Sequence, residues 1–196
     1  MSPELCVYAV SGDSDNSHLG GNLFEGDPWT YCPKTWTYVI DRFAIKSVLD
    51  LGSGFGYSSH FFKNKGLDVL AVDGLEQNIN RAVYPTFLHD ITKGPIKTRV
   101  DLVHCHELVE HVEEKYLDNL LASMACGKFV MMTNAPPGQG GYHHVNEQPT
   151  EYWIEHMKRY GYEVLPEDSM RIKAIANSEG AVWMGQTGTI YINRAF

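Results

Sequence analysis

The sequence contains no apolar run near the roughly 20 residues that a membrane-spanning helix needs. Its N-terminus, MSPELCVYAVSGDSDNSHLGG, has neither the basic start nor the apolar core of a signal peptide. These two absences predict a cytoplasmic protein. Lysine and arginine number 16 against 24 aspartate and glutamate, a formal net charge of −8. Because phosphate binding depends on clustered basic side chains, a broad nucleic-acid surface is not expected.

Paired cysteine spacings are also missing. The four cysteines, Cys6, Cys32, Cys105 and Cys126, include no C-x-x-C pair. This spacing excludes a zinc ribbon and a thioredoxin-type redox site. We expect reduced thiols that are buried as small apolar side chains.

Length and composition favour one globular domain over residues 1–196. The chain has 196 residues, of which 43% are hydrophobic and 20% charged, enough for a sizeable core. Residues 1–33 are rich in glycine, aspartate, asparagine and serine and are predicted to form an irregular N-terminal arm. The core is expected over residues 34–196. The arm would serve either as a lid over a ligand or as a contact between two copies of the chain.

Strand and helix patterns alternate along the core. Strands are predicted at 47–51, 68–73, near 88, at 100–105 and at 128–133, with two more in EVLP and TGTIYINR near the end. Helices are predicted at 34–44, 57–65, 75–82, 107–124 and 151–160, the last capped by Thr150. The fold class is therefore α/β: a Rossmann-like, doubly wound, mostly parallel seven-stranded sheet with an antiparallel last strand.

A glycine loop gives the strongest functional signal. In VLDLGSGFGYS, Gly52, Gly54 and Gly56 follow a predicted strand and precede a helix. Glycines at such a turn let the backbone approach a ligand closely. About 20 residues later, Asp73 ends the next strand, where a carboxylate can accept ribose hydroxyls. The spacing is G-x-G-x-G, whereas the dinucleotide fingerprint is G-x-G-x-x-G.

The segments LDLGSGFG, AVDG and LHDI resemble successive motifs of class I S-adenosylmethionine-dependent methyltransferases, over roughly residues 34–165. The resemblance implies S-adenosylmethionine as cofactor. It also implies the expected cofactor contacts, which are Asp50, Gly52, Ser53, Gly54 and Gly56 at the glycine loop, Asp73 and Gly74 at the ribose, Asp90 near the adenine, and His106. The alternative is a structural glycine turn in another kind of α/β protein.

A second cluster, HCHELVEH, follows the fourth predicted strand. If a helix begins here, Glu107, Glu110 and His111 share one of its faces at the carboxyl end of the sheet. Two carboxylates and an imidazole form a partial ligand shell for Mg²⁺, Mn²⁺ or Fe²⁺. The later segment GGYHHVNE offers His143 and His144 from a loop that reaches the same end of the sheet.

This arrangement is similar to metal-dependent O-methyltransferases, including those acting on small-RNA 2′-hydroxyls and in the ubiquinone pathway. That resemblance implies one divalent ion, Mg²⁺ or Mn²⁺, held by Glu107, Glu110, His111 and His144. A bound metal lowers the pKa of a hydroxyl, and a nearby imidazole can take its proton. The candidate catalytic residues are accordingly His143, His144 and His106. In the alternative interpretation, these side chains only orient the helix, fill the core or decorate the loop.

The expected methyl acceptor is a hydroxyl of a sugar or glycan. The segment GGYHHVNEQPTEYW resembles methyltransferases of sugar and polysaccharide synthesis. An aromatic rim is predicted from Trp29, Tyr31, Tyr142 and Trp153, although Trp153 and Trp36 also suit ordinary core packing.

Several other functions stay open. They are a small phenolic acceptor, an RNA 2′-hydroxyl, which the net charge disfavours, and a cofactor-binding pseudoenzyme subunit. A base N-methyltransferase is discounted because Ala135 and Gly138 break its signature of Asn or Asp, two prolines and an aromatic.

Overall fold

The structure is a computed structural model that describes residues 8–10, 18–19, 21–23 and 27–196. Its strands are β1 (Tyr8–Val10), β2 (Gly21–Leu23), β3 (Ser47–Leu51), β4 (Asp68–Asp73), β5 (Thr86–Leu88), β6 (Val100–Cys105), β7 (Gly127–Met132), β8 (Tyr162–Val164) and β9 (Thr189–Asn193). Its helices are α1 (Pro33–Phe43), α2 (Tyr57–Asn64), α3 (Glu76–Arg81), α4 (Leu117–Met124), α5 (Thr150–Arg159), α6 (Pro166–Glu179) and α7 (Val182–Thr187).

Seven of the strands form one sheet in the order β5-β4-β3-β6-β7-β9-β8. The pairs from β5 to β7 are parallel, and β9 runs antiparallel to both β7 and β8. The prediction of a doubly wound, mostly parallel sheet with an antiparallel last strand is confirmed. In such sheets, ligands bind beyond the carboxyl ends of the strands where the strand order reverses, here between β3 and β6.

Alternate residues of the central strands face two separate core layers. Leu49 of β3 packs with Leu120 of α4 and Trp153 of α5 on one face of the sheet. Val48 of the same strand packs on the other face with Trp36 of α1 and the helices α2, α6 and α7. Because both faces are covered, β3 reads in sequence as a continuous apolar run rather than an alternating one.

The predicted helix over 107–124 is wrong in its first half. Only Leu117–Met124 is α-helical, and the residues before it form two short 3-10 turns, Val109–His111 and Glu114–Tyr116. Glu107 has a left-handed backbone (φ 52°), which a right-handed helix cannot continue through. The backbone N–H of Glu107 instead donates to Thr133 Oγ1 at 2.9 Å, tying the end of β6 to the end of β7.

Three further local predictions need correction or addition. Thr150 does not cap α5, because Pro149 is the cap residue and the Thr150 hydroxyl donates to Asn134 Oδ1. No helix is predicted in the region of α6 and α7. Pro166 at the start of α6 and Gly180 after its end are nevertheless ordinary helix signals. The N-terminal arm contains the antiparallel pair β1–β2 in place of purely irregular chain.

The cysteine prediction holds wherever the structure describes the residue. Cys32, Cys105 and Cys126 are free and buried, and Cys6 lies outside the described residues. Among the described residues, none of the helices combines the length and apolar character that a membrane crossing requires.

A substitution of Trp153 tests whether this face of α5 packs into the core. Its side chain is fully buried (0% exposed), so we expect Trp153→Ala to lower the free energy of unfolding by about 3–5 kcal/mol through loss of packing. Met170→Ala, at a 65% exposed position of α6, is the control and should change it by no more than about 0.5 kcal/mol. Urea denaturation measures both. Wild-type stability of the Trp153 variant would contradict the buried position.

Candidate functional site

The glycine loop is a tight turn between β3 and α2 that only glycine fits at two positions. Gly52 and Gly56 have φ of 75° and 76°, a backbone region that other residues rarely adopt. A Cβ on Gly52 would also lie 3.1 Å from the Leu108 side chain. The hydroxyl of Ser53 is buried and has no hydrogen-bond partner among the described residues. The loop therefore offers an unsatisfied hydroxyl, that of Ser53, between two glycine positions where a ligand can approach the backbone closely.

Asp73, at the end of β4, fastens this loop from the side. Its carboxylate accepts hydrogen bonds from Gly54 N at 2.8 Å, Leu75 N at 2.8 Å and Asn78 Nδ2 at 2.9 Å. Burial raises the pKa of Asp73 to about 6, against the lowering effect of these hydrogen bonds. Each carboxylate oxygen has lone pairs for more than one donor, so the predicted ribose contact is compatible with these bonds.

Asp50, in β3, is buried at the centre of a hydrogen-bond network. It accepts hydrogen bonds from Ser58 Oγ at 2.6 Å, Ser59 Oγ at 2.5 Å and His104 Nδ1 at 2.7 Å. Burial alone would raise the pKa of Asp50, but the contact with His104 and the two serine hydrogen bonds outweigh it and lower the pKa. Asp50 therefore acts on the loop by fixing the first turn of α2.

Trp36 decides the protonation of His104. The indole Nε1–H lies 3.2 Å from His104 Nε2, and an indole nitrogen only donates. His104 Nε2 must then be the unprotonated nitrogen, and the single proton sits on Nδ1, where it is donated to Asp50. The neutral tautomer of His104 thus follows from its two partners.

The end of the sheet predicted for the adenosine is largely closed. A cavity of about 50 Å³, room for only a few water molecules, is lined by Asp73, Gly74 and Asp90 together with His18 and Leu19 of the arm. His18 Nε2 lies 3.1 Å from Asp90 Oδ2, and Asp90 also accepts two hydrogen bonds from Thr92. The described part of the arm covers the residues that the resemblance assigns to ribose and adenine.

Three of the four predicted metal ligands come together. The ligand atoms of Glu110, His111 and His144 all lie within 4.8 Å of one another. Glu110 is fully buried, and neither of its carboxyl oxygens accepts a hydrogen bond from a donor among the described residues. Burial and the neighbouring Glu107 raise its pKa well above the usual range. A buried carboxylate without donors is costly unless a cation accompanies it, so these residues fit a divalent metal.

The two histidines of this cluster each use Nδ1 in a hydrogen bond outside it. His111 Nδ1 donates to the carbonyl oxygen of His143 at 3.2 Å, and His144 Nδ1 donates to Glu147 Oε1 at 3.1 Å. Each Nε2 is thereby left with its lone pair, as in metal sites whose histidines are oriented by carbonyls and carboxylates. A Cβ on Gly141 would collide with the His144 ring, so a glycine is needed there for His144 to reach the site.

Glu107, the fourth predicted ligand, sits beside this cluster rather than within it. Its Oε1 accepts a hydrogen bond from Thr133 Oγ1 at 2.7 Å. Burial raises the pKa of Glu107 to about 7, and the nearby charge of Asp27 adds to the rise. The Glu107 and Glu110 carboxyls are close enough for each to influence the pKa of the other, and a cation bound beside them would offset their mutual repulsion.

The remaining candidate histidines differ in position. His106, just after β6, is 9% exposed, and neither ring nitrogen has a partner among the described residues. Burial lowers its pKa to about 3, which keeps the ring neutral. His143 has a left-handed backbone (φ 52°) and a buried Nε2 that is likewise without a described partner. Of the two, only His106 lines the large cavity described next.

A cavity of about 850 Å³ opens at the carboxyl end of β3 and β6. Its wall includes residues of the glycine loop, His106, Glu107, His111 and His144, so the predicted methionine contacts and three of the four predicted metal ligands face one space. Glu110, the fourth, is buried behind this wall beside His111 and His144. The predicted rim residues Tyr31 and Tyr142 also line it, whereas Trp153 belongs to the core. Trp29 packs edge-on against Trp183, with ring centroids 6.1 Å apart.

The cavity wall includes residues that no sequence motif predicts, among them Asp27 and Trp183. Asp27 accepts hydrogen bonds from Trp29 N at 2.8 Å and Trp183 Nε1 at 2.9 Å, and both Asp27 and Trp183 line the cavity. Trp183 lies in α7, for which no element is predicted, and 156 residues separate it from Asp27 in the chain. Neither residue belongs to a motif that sequence spacing alone could identify.

We expect His18→Ala to strengthen the binding of S-adenosylhomocysteine several-fold. The reason is that His18 and Leu19 occupy the adenosine end and must leave Asp90 before an adenine can reach it. Isothermal titration calorimetry measures the affinity, with His60→Ala, an exposed histidine of α2, as the control. Weaker binding by the His18 variant would show instead that this segment closes over the bound cofactor.

Residues 49–125 match the sequence profile of a methyltransferase domain. No curated protein matches the chain. Among solved structures, the fold is similar to a SAM dependent methyltransferase from Archaeoglobus fulgidus, with a TM-score of 0.61 and 16% identity over 86% of this chain and 95% of that one.

A second similar structure is magnesium protoporphyrin IX methyltransferase from Synechocystis PCC 6803 with bound SAM, at a TM-score of 0.55 and 16% identity, covering 67% of each chain. TehB from Haemophilus influenzae matches with a TM-score of 0.53 and 19% identity over 66% of this chain, which spans half (50%) of the length of TehB. Residues 49–125 thus resemble a methyltransferase domain, and the chain shares its fold with these solved structures.

Proposed function

We propose that the chain transfers a methyl group from S-adenosylmethionine to a hydroxyl oxygen of a sugar or glycan, with help from a divalent cation. The observation that carries the proposal is the buried, donor-free carboxyl of Glu110 beside two histidines whose Nδ1 atoms are hydrogen-bonded elsewhere, which leaves each Nε2 available as a ligand. A structural carboxyl in the core would be expected to have hydrogen-bond donors. This one faces metal-ligating groups at the wall of a large cavity.

The donor set suits one kind of ion. Glu110, His111 and His144 supply one carboxylate and two imidazoles, with Glu107 next to them. Imidazole is a poor ligand for Mg²⁺, while Mn²⁺ and Fe²⁺ accept both imidazole and carboxylate. We therefore favour Mn²⁺ over Mg²⁺. When bound, such an ion lowers the pKa of a hydroxyl that coordinates it.

The protein's own residues would position the acceptor hydroxyl and hold its proton in a hydrogen bond. His106 is neutral, lines the cavity and has two unpartnered ring nitrogens, so it can accept a hydrogen bond from the acceptor hydroxyl. The glycine loop and the first turn of α2, held by Asp50, would orient the methyl donor at the same cavity. Alignment of oxygen, methyl carbon and sulfur then supplies much of the rate.

An aromatic wall supports a sugar acceptor. Tyr31 and Tyr142 line the cavity with Trp183, and the flat apolar face of a sugar ring packs well against such rings. The carboxylate of Asp27 at the same wall can accept hydrogen bonds from ring hydroxyls. A phenol would use the aromatic wall but not this carboxylate.

The direct experiment measures methyl transfer from labelled S-adenosylmethionine to glycosides, catechols and short RNAs, each with and without a chelator. We expect transfer to a glycoside that stops with chelator and returns with Mn²⁺. Transfer that ignores the chelator would reassign Glu107, Glu110 and His111 to orienting and general-base roles. Cofactor binding without transfer to any acceptor would favour a pseudoenzyme.

Replacing Glu110 separates the metal from the cofactor. We expect Glu110→Gln to abolish Mn²⁺ binding in calorimetry and to reduce turnover on the order of 100-fold or more, with S-adenosylhomocysteine affinity unchanged. Glu151→Gln, at an exposed position of α5, is the matched control and should alter none of the three. Unaltered turnover and Mn²⁺ binding in the Glu110 variant would remove the metal hypothesis.

A substitution at Gly141 tests the metal site without replacing any of the proposed ligand residues. The Cβ of Gly141→Ala would push the His144 ring away from Glu110 and His111, so Mn²⁺ affinity should fall at least tenfold. Gly138→Ala is the control, because a Cβ there meets no atom within 4 Å although its φ of 87° is also left-handed. Equal losses in the two variants would point to general strain in the loop.

A further inference from the structure

The wall of the large cavity carries negative charge without basic side chains. Four of its lining residues are acidic, namely Asp27, Asp50, Glu107 and Glu179, and among the described residues that line it there is neither a lysine nor an arginine. His104 is neutral because of its two partners, and burial lowers the pKa values of His106 and His111. In such a cavity, a cationic group on the acceptor is favoured over a phosphate or a carboxylate on the acceptor.

Three of these four acids already have a function in the fold or the proposed site. Asp50 holds His104 and two serines, and Glu107 adjoins the proposed metal ligands. Glu179 accepts hydrogen bonds from Lys34 N at 2.9 Å and Thr35 N at 3.0 Å, at the start of α1. There it offsets the positive end of the helix dipole.

Asp27 is the exception. Its carboxylate accepts two neutral N–H donors, Trp29 N and Trp183 Nε1, and no ion pair to it is found among the described residues. The hydrogen bond from Trp183 links Asp27 to α7 rather than to the glycine loop, where the methyl donor would bind on the proposed function. A carboxylate at a cavity wall whose donors are all neutral keeps its negative charge and can pair with a cation that enters the cavity.

Aromatic rings line the same cavity as this carboxylate, and one of them, Trp183, donates a hydrogen bond to it. Trp183 is held in orientation by its bond to Asp27 and by the edge-on contact with Trp29. Tyr31, 46% exposed, stands perpendicular to Trp36 at a centroid distance of 5.2 Å. Aromatic faces beside a carboxylate favour an organic cation, which gains both ionic and cation–π attraction.

A second, independent observation indicates that the same cavity binds a polar ligand. His106 is buried at the cavity wall with both ring nitrogens unpartnered among the described residues. Buried polar groups of native proteins are almost always hydrogen-bonded, so we expect a polar group of a ligand to form a hydrogen bond with this imidazole. Asp27 and His106 together call for a ligand with a cationic group and a hydroxyl.

We propose that Asp27, Tyr31 and Trp183 form an acceptor subsite for a protonated amine, so that the methyl acceptor is a hydroxyl compound that also carries an ammonium group. This inference rests on the proposed function and narrows its acceptor class. Amino sugars and open-chain amino alcohols share the required chemistry. The hydroxyl to be methylated would face His106, while the ammonium group binds at Asp27.

Two sets of matched probes test the subsite and distinguish the sources. Glucosamine, glucose and glucuronate present a cation, a neutral group and an anion on one ring shape, and ethanolamine, ethylene glycol and glycolate do so on a short chain. Binding is followed by tryptophan fluorescence with S-adenosylhomocysteine present. In at least one set, the amine should bind about tenfold more tightly than the neutral member, and the anion most weakly.

Variants locate the effect at the carboxylate. Asp27→Asn should reduce the preference for the amine to within about twofold while S-adenosylhomocysteine affinity is unchanged. Trp183→Phe keeps the carboxylate and an aromatic ring, so the preference should persist, which covers the case in which the Asp27 variant fails to fold. Asp68→Asn, at an exposed position at the start of β4, is the matched control.

The outcomes separate this proposal from the proposed function. Equal binding of all three members of both sets, or no binding of either amine, would overturn the subsite. Methyl transfer to neutral glycosides without an amine preference would overturn the subsite and leave O-methylation standing. Amine binding at Asp27 without methyl transfer to any amine-bearing acceptor would keep the cation subsite and overturn its role as acceptor site.

Discussion

The buried carboxylate of Asp50 is the interaction on which the arrangement of the site depends. It lies at 1% exposure and accepts hydrogen bonds from Ser58, Ser59 and His104, so it joins β3, α2 and β6. Trp36 adds α1 to the same network through His104. A buried charge is tolerated only when several donors surround it, and here those donors are the groups that fix the glycine loop and the floor of the cavity.

Backbone strain beyond β6 is held by bonds across the sheet. Glu107 takes a left-handed conformation, and its N–H and carboxyl both bond to the hydroxyl of Thr133, the residue after β7. Such conformations persist only where the surroundings fix them, and they concentrate at functional sites. The 3-10 turn that follows holds Glu110 and His111 close to His144, and it brings His111 to the cavity wall.

The alternation of strands and helices, and therefore the fold, could be predicted because apolar runs such as SVLDL and VDLVHC are local signals. The glycine loop and Asp73 were also accessible, since their spacing is fixed by one strand, one turn and one helix. Helix α6 was missed although Pro166 and Gly180 mark its ends, because its apolar residues do not follow a clear helical stripe.

The positions of Asp27 and Trp183 at the cavity wall could not be predicted from the sequence, for a different reason. Asp27 and Trp183 meet across 156 residues, and the contact of His18 with Asp90 spans 72. Long-range contacts of this kind depend on how the arm and α7 lie over the finished sheet, which no local pattern encodes. The identity of Glu110 as a buried group without donors likewise follows only from tertiary packing.

The small cavity under the arm and the large cavity share two lining residues. Gly52 and His111 are the residues that line both the small cavity under the arm and the large cavity beyond the sheet. A cofactor with its adenosine in the first and its methionine in the second would cross between them at Gly52, where a side chain would meet Leu108. On the proposed function, the reacting carbon would then face the side of the cavity where His106 and the metal ligands lie. On the proposed function, His18 and Leu19 would therefore have to move before the adenosine can bind. The methyl group would then be aligned with the acceptor oxygen in the large cavity.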